Sequence, residues 1–312
     1  MLNLRISIII PCYNEETVIN ETYKRIKKVL TGEGYLNHEI LFVNDRSEDG
    51  TLSILKDIAI LDKKVKVLNF SRNFGHEAAT SAGINACSGD IAFIIDADLQ
   101  DPPELFPEMM KIYFEEKCNV VYGVRKSRRR ETFIKKVTSK LFYRVFNYLS
   151  DVKFPPDTGD FRLMDRMVIN AYKDFKEKNK YIRGIISWIG FKQIPFYYER
   201  QPRFSGMTKY NYRKLITFAL NAIFSFSKKP LKIAINVGFL SVLVSLGLSI
   251  YVFLGRSYKP VPGWASTLLI IIFFGGIQLL TIGVLGRYTG HILDEVKNRP
   301  EYIIDEKINF EK

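Results

Sequence analysis

What this chain lacks narrows it first. Its 312 residues include only three cysteines, Cys12, Cys87 and Cys118. They are scattered and odd in number, so neither a disulfide framework nor a zinc spacing is present, and a reducing compartment is expected. No Gly-x-Gly-x-x-Gly follows the first apolar run and no Walker sequence occurs, which removes the main support for dinucleotide-binding and P-loop readings. No signal peptide is expected: Ile6-Ser7-Ile8-Ile9-Ile10 is too short for one and ends at Pro11, so the N-terminus reads as a first strand expected to stay in the cytoplasm. Acidic residues are outnumbered, 33 Asp and Glu against 46 Lys and Arg for a net charge of +13. That excess points to an anionic partner: nucleic acid, a phosphorylated substrate or a membrane surface. The length exceeds one ordinary domain, so a domain with an appendage is expected.

What is present alternates. Strand-like runs Arg5 to Ile10, Glu39 to Val43, Val65 to Phe70 and Ile91 to Ile95 each lead into a polar loop, and the first three loops lead into helical patterns, the first from Val18 to Leu30 and the third a small-residue helix to Ala86. Such alternation predicts an α/β fold with a parallel sheet, whose ligand site gathers the loops at the strand carboxyl ends. The fourth strand delivers Asp96-Ala97-Asp98-Leu99-Gln100-Asp101-Pro102-Pro103 to that edge. Asp96 and Asp98 alternate, with Gln100 two further on, and hard oxygen ligands of this kind suit Mg²⁺ or Mn²⁺ bridging a substrate diphosphate. A solvated acidic turn is the plain alternative.

Four loops, Pro11-Cys12-Tyr13-Asn14-Glu15, Val43-Asn44-Asp45-Arg46-Ser47-x-Asp49-Gly50-Thr51, Arg72-Asn73-Phe74-Gly75 and the Asp96 to Pro103 stretch, together resemble the successive motifs of inverting GT-A glycosyltransferases. Within that Rossmann-like, mostly parallel fold, the chain is most similar to the polyprenyl-phosphate glycosyltransferases, the dolichyl-phosphate mannose synthase and bactoprenol glucosyltransferase group. The resemblance implies a nucleotide site of Pro11, Tyr13, Asn14, Glu15, Asp45, Arg72 and Asp96, and a metal site of Asp98 and Gln100 with Asp96 beside them. Asp45 could accept from a uracil imide or a ribose hydroxyl; its plain alternative is a carboxylate at a helix start, a role that also suits Ser47. His76 is expected only to start a helix.

After Val120 to Gly123, Arg125-Lys126-Ser127-Arg128-Arg129-Arg130 opens a run in which Phe133, Val137, Leu141, Phe142 and Val145 recur at helical spacing. This reads as a basic amphipathic helix. No nucleic-acid module accompanies it, so no nucleic acid is expected as partner. The resemblance places the lipid-phosphate side here and singles out Arg125. Asp157-Thr158-Gly159-Asp160-Phe161-Arg162 resembles the family's acceptor segment, with Asp157 or Asp160 in the position of a base; the choice stays open, and turn chemistry beside Gly159 is the alternative. A phosphate monoester, with a second pKa of ~6, is largely dianionic at neutral pH and needs little deprotonation. Asp160 would then position the nucleophile or Arg162. Arg200 to Tyr210 combines cations with a small-residue turn, a loop able to close over a diphosphate through Arg203 and Lys209.

Composition then shifts. Residues 1–209 form the expected GT-A domain, 210–230 a juxtamembrane amphipathic segment lying in the interface, 231–288 two membrane helices and 289–312 a polar cytoplasmic tail. Ile233 to Gly255 and Trp264 to Gly286 carry no charge, and each is long enough to span a hydrocarbon core that needs about 20 residues. Lys228, Lys229, Lys232 and Arg287 flank the outer ends against Arg256 and Lys259 in the connection, which favours a multi-pass protein of the inner membrane with a cytoplasmic catalytic domain. Gly238, Gly247, Gly275 and Gly276 would allow close approach within the hairpin or between copies, leaving a homo-oligomer open. The reading is thus a metal-dependent inverting hexosyltransferase that moves glucose from UDP-glucose to undecaprenyl or a similar polyprenyl phosphate in a lipid membrane. Its rivals are a processive polysaccharide synthase, disfavoured by the lack of Gln-x-x-Arg-Trp, and a non-catalytic nucleotide-binding adaptor, disfavoured by intact Asp96, Asp98 and Asp160.

Overall fold

The computed structural model describes residues 4–126, 158–178, 180–202, 227–254 and 263–310. In chain order these give β1 (Ile6–Cys12), α1 (Ile19–Gly32), β2 (His38–Asn44), α2 (Thr51–Leu61), β3 (Val65–Phe70), α3 (His76–Ala86), β4 (Ile91–Ile94), α4 (Phe106–Glu116), β5 (Val120–Arg125) and β6 (Thr158–Asp165). There follow α5 (Arg166–Lys173), α6 (Ile182–Ile189), β7 (Gln193–Tyr198), α7 (Lys229–Leu254), α8 (Trp264–Lys297) and β8 (Ile304–Ile308). The described residues fall into two compact units, one holding everything up to 202 together with 299–310, the other holding α7 and α8.

The first unit is built on one eight-stranded sheet in the order β7-β5-β6-β4-β1-β2-β3-β8. Pairs β1–β2, β1–β4, β2–β3 and β5–β7 are parallel, so the expected mostly parallel α/β sheet is what forms. Both β1 and β2 are buried at every residue, as central strands covered on both faces must be. The small residues of α3 let it lie close on β1: a Cβ added at Gly83 would come within 2.3 Å of Ile9 Cγ2. An aromatic row crosses the other half of the sheet, with ring centroids 4.8 Å apart for Phe93 and Phe106, 5.1 Å for Phe93 and Phe161, and 5.1 Å for Phe161 and Tyr198.

At the amino end of the central strands a polar knot replaces apolar packing. Glu39 is 1% exposed and accepts from Ser7 Oγ at 2.5 Å, Lys66 Nζ at 2.8 Å, and the backbone N and Oγ of Ser88 at 2.6 and 2.8 Å. Burial opposes its charge, but these donors outweigh burial and hold its pKa at about 2 against an ordinary 4.5.

Four expectations change. Residues 158–165 form β6, antiparallel to both β4 and β5, so Asp160 belongs to a central strand and not to a turn. The segment expected as a polar tail from 289 carries regular structure: helix α8 continues from the apolar run to Lys297, and β8 then pairs antiparallel with β3, with Ser71 N donating to Ile303 O and Tyr302 stacked on Phe70 at 5.2 Å. Ser47 caps no helix; α2 begins at Thr51 behind Gly50. Arg125, expected to open a basic helix, instead closes β5; the rest of that expected helix, from 127 on, and residues 210–226 of the expected interfacial segment lie outside the described residues.

In the second unit, α7 has 26 residues and α8 has 34, or about 39 and 51 Å at 1.5 Å per residue. Both are long and apolar enough to cross a membrane by length and composition. Their apolar side chains, such as Phe239, Leu240, Ile271, Phe273 and Leu280, stand exposed, which is unlike the core helix of a soluble protein.

Candidate active site

The carboxyl ends of β1, β2, β3 and β4 bring the four loop motifs together, and much of their chemistry goes into holding one another. Asn14 N donates to Ser47 Oγ at 2.9 Å, Asn14 Oδ1 accepts from Glu48 N at 2.8 Å, and Glu15 N donates to Thr51 Oγ1 at 2.9 Å. Asn44 Nδ2 reaches Asn69 Oδ1 at 2.7 Å across adjacent strands, while Asn44 Oδ1 accepts from Ser47 Oγ at 2.5 Å. Three non-glycine residues adopt left-handed backbone here, Asn14 (φ 54°), Arg46 (φ 56°) and Leu99 (φ 57°). One lies at each of three strand ends, the kind of backbone strain that gathers at functional sites.

Asp45 is 3% exposed, and its two oxygens accept from Phe74 N at 2.6 Å and Gly75 N at 2.9 Å. Its role in this geometry is to hold the loop between β3 and α3; burial raises its pKa in spite of those donors. Arg72 is exposed and stacks 3.9 Å above the Phe74 ring. Pro11 is buried, while Tyr13, Asn14 and Glu15 are half-buried at the end of β1.

At the end of β4, Asp96 is half-buried, Asp98 is 6% exposed and Asp101 is fully buried. Asp98 Oδ1 accepts from Gln100 N at 3.1 Å, which tightens the turn. Burial raises the Asp96 pKa to about 6, with His76 opposing and Asp101, Asp160 and Asp98 reinforcing the rise. Among the described residues no three His, Cys, Asp or Glu side chains form a ready-made metal cage. Asp96 Oδ1 is nevertheless buried without a hydrogen-bond partner. A set of two carboxylates and an amide with such an oxygen to spare fits Mg²⁺ or Mn²⁺, which keep water and substrate phosphate among their ligands.

Asp160 meets a different environment. It is 4% exposed; Arg183 Nε donates to Oδ1 at 2.9 Å and Nη2 to Oδ2 at 3.0 Å, His76 Nε2 lies 3.1 Å from Oδ2, and Arg162 Nη2 lies 3.8 Å from Oδ1. Burial alone would raise its pKa, but the Arg183 charge and the His76 and Arg183 hydrogen bonds hold it well below the usual range. A carboxylate gripped by a bidentate arginine accepts a proton poorly, so Asp160 is not built as a base. Its main partner is Arg183 and not the expected Arg162. His76 does start α3, yet it also stands between Asp160 and Asp96, 3.6 Å from Asp96 Oδ1; those carboxylates outweigh its burial and raise its pKa to about 9. The sequence assigns His76 only a helix start and Arg183 no role, although Arg183 is the lone charge in the apolar helix Ile182–Ile189.

A third group lies at the ends of β5 and β7. Tyr198 OH donates to Asp101 Oδ1 at 2.5 Å, Arg200 Nε lies 3.4 Å from the same oxygen, and Arg125 Nη2 lies 3.8 Å from Oδ2. Gly159 packs under Arg125, where an added Cβ would come within 2.8 Å of Nη2. Asp157, Arg203 and Lys209 lie outside the described residues.

The profile of glycosyl transferase family 2 matches residues 7–173. Similar relatives include the uncharacterized glycosyltransferases YkcC of Bacillus subtilis, 44% identical over 99% of this chain and 96% of the relative, and sll0501 of Synechocystis, 43% identical over 98% and 96%. The SfII prophage-derived bactoprenol glucosyl transferase of Shigella flexneri is 39% identical over 96% of this chain and 97% of its own. Among solved structures, the mannosyltransferase PcManGT of Pyrobaculum calidifontis, in complex with GDP-Man and Mn²⁺, aligns with a TM-score of 0.48 at 16% identity over 95% and 87% of the two chains. A likeness that remote says nothing about donor or metal here.

Proposed function

The chain belongs to glycosyl transferase family 2, and from that premise we propose that it transfers glucose from UDP-glucose to polyprenyl phosphate at the cytoplasmic face of the cell membrane, with inversion at the anomeric carbon. One observation carries the reading: the acidic turn of Asp96, Asp98 and Gln100 runs directly into Asp101, which meets the guanidinium groups of Arg125 and Arg200. A cation-binding half for a donor diphosphate and an anion-binding half for an acceptor phosphate thus share one strand end. The bactoprenol glucosyl transferase relative supports a lipid acceptor and glucose.

Asp98 and Gln100, with Asp96, would hold Mg²⁺ or Mn²⁺, which when bound neutralises charge developing on the leaving diphosphate. The nucleophile is an oxygen of the lipid phosphate. It forms a bond to the anomeric carbon as the bond from that carbon to the UDP oxygen breaks and UDP leaves with the electron pair. With a second pKa of ~6 the phosphate arrives largely dianionic, so no side chain has to remove a proton. That agrees with an Asp160 locked by Arg183. Arg125 and Arg200 would draw the acceptor phosphate to the site and hold it in line.

Helices α7 and α8 would serve as the membrane anchor. Residues up to 202 and residues 299–310 belong to one compact unit, which supports an even number of crossings, as in a hairpin. The flanking lysines favour the cytoplasmic side. The test is purified protein in detergent with undecaprenyl phosphate and a panel of radiolabelled nucleotide sugars. UDP-glucose is expected to label the lipid in a metal-dependent way; failure of every nucleotide sugar to do so would overturn the reading.

A further inference from the structure

Asp101 belongs to neither the donor turn nor the acceptor residues proposed above, yet it is the group through which they touch. Its side chain has no exposure, and its Oδ2 accepts no hydrogen bond. The two arginines come from neighbouring strand ends, since β5 and β7 pair in parallel with Arg125 opposite Tyr198. Two guanidinium groups so placed repel and would turn outward to water unless a carboxylate lay between them. Asp101 supplies it. One carboxylate between two guanidiniums leaves a single positive charge in excess; Arg125 Nε is a buried N–H group without an acceptor, and Arg200 Nε has only its 3.4 Å ion-pair contact with Asp101 Oδ1, which is not a hydrogen bond. Buried donors of that kind call for a partner, and a phosphate oxygen is the partner that planar guanidinium groups match best. The backbone ties the same parts together, because Gln201 N donates to Gln100 O at 2.9 Å and Lys126 N to Tyr198 O at 2.8 Å.

We propose that Asp101 is a positioning residue for phosphate: it fixes Arg125 and Arg200 beside the Asp98–Gln100 turn, so that the two arginines grip an incoming phosphate as one unit. The inference rests on the transferase reading. The shared chemistry is a phosphate group, carried either by the lipid acceptor or by the donor diphosphate, and two measurements separate these sources.

Wild-type transfer to polyprenyl phosphate is assayed first; if it is absent, the transferase reading fails, while binding of UDP still tests the role of Asp101. In the variant Asp101→Asn, which keeps an acceptor for Tyr198 but loses the charge, the KM for polyprenyl phosphate is expected to rise about tenfold, with the Kd for UDP within twofold of wild type. A tenfold weaker Kd for UDP with an unchanged acceptor KM would assign the grip to the donor diphosphate. If both stay within twofold, the proposal is overturned. Should Asp101→Asn not fold, Arg200→Gln, at a side chain 30% exposed, must show the same shift. Where both fold, the double variant must be no worse than Asp101→Asn alone, since groups acting as a unit are not additive. Fully additive losses would also overturn the proposal.

Discussion

The loops proposed to face the donor and the flank proposed to face the acceptor are built in opposite ways. The loops after β1, β2 and β3 hold one another through short hydrogen bonds between neighbouring segments, among them Asn14 to Ser47, Glu15 to Thr51 and Asp45 to Phe74 and Gly75. The flank is assembled from charges far apart in the chain: His76, Asp160 and Arg183 in one cluster, Asp101, Arg125 and Arg200 in the other. Hydrogen bonds between polar loop groups set a fixed shape, which suits the nucleotide-binding role proposed for them. Paired charges at low exposure leave net cationic reach toward an anion, at the expense of making each member depend on its partner.

The largest effect expected from this division is at the acidic turn. Asp98→Ala should slow transfer about a thousandfold or more with the melting temperature unchanged, and a rate within tenfold of wild type would remove the donor half of the comparison. Next comes the acceptor cluster. Arg183→Gln leaves Asp160 buried against fewer donors and should cost about 3 kcal/mol of stability, read by denaturant unfolding. In Asp160→Asn the pH profile of kcat should keep its acid limb, because in the proposed mechanism the lipid phosphate and not Asp160 sets that limb; its disappearance would restore Asp160 as a base.

Glu39 sharpens the contrast from the opposite end of the sheet. Its folded pKa of about 2 lies below the ordinary 4.5, so its stabilisation is full above pH 4.5 and is lost as the pH falls toward 2, an effect of about 3 kcal/mol. Glu39→Gln should therefore be less stable than wild type at pH 7, flatter in stability between pH 4.5 and 2, and unchanged in both KM values. The smallest effect is expected at Ser47→Ala, about 1 kcal/mol from hydrogen bonds lost between loops, with the KM for UDP-glucose rising only a few-fold. An equal rise in the KM for lipid would blur the two halves.

The donor half could be read in the sequence because each of its loops is a contiguous stretch at the end of an apolar run, and strand, loop and helix are local patterns. Asp96, Asp98 and Gln100 fall where that reading put them, at the carboxyl end of β4. Local contacts were harder to read: Asp45 also holds the loop after β3 through Phe74 and Gly75, and Ser47 bonds Asn14 and Asn44 where a helix cap was expected. The acceptor half was less accessible. Arg183 and His76 lie 107 positions apart in number and share a carboxylate only because β6 enters the sheet antiparallel beside β4, and strand insertion leaves no periodic trace.

The sequence by itself determined the alternating α/β plan, the acidic turn, the charge excess and the two apolar runs, all of which depend on residues close together in the chain. Only the tertiary structure decided that residues 304–308 return to cover β3, that Asp160 is held by Arg183, and that Asp101 lies between two arginines. Each of those is a contact between segments 20 or more residues apart, formed because buried charges and open strand edges must find partners wherever the fold supplies them.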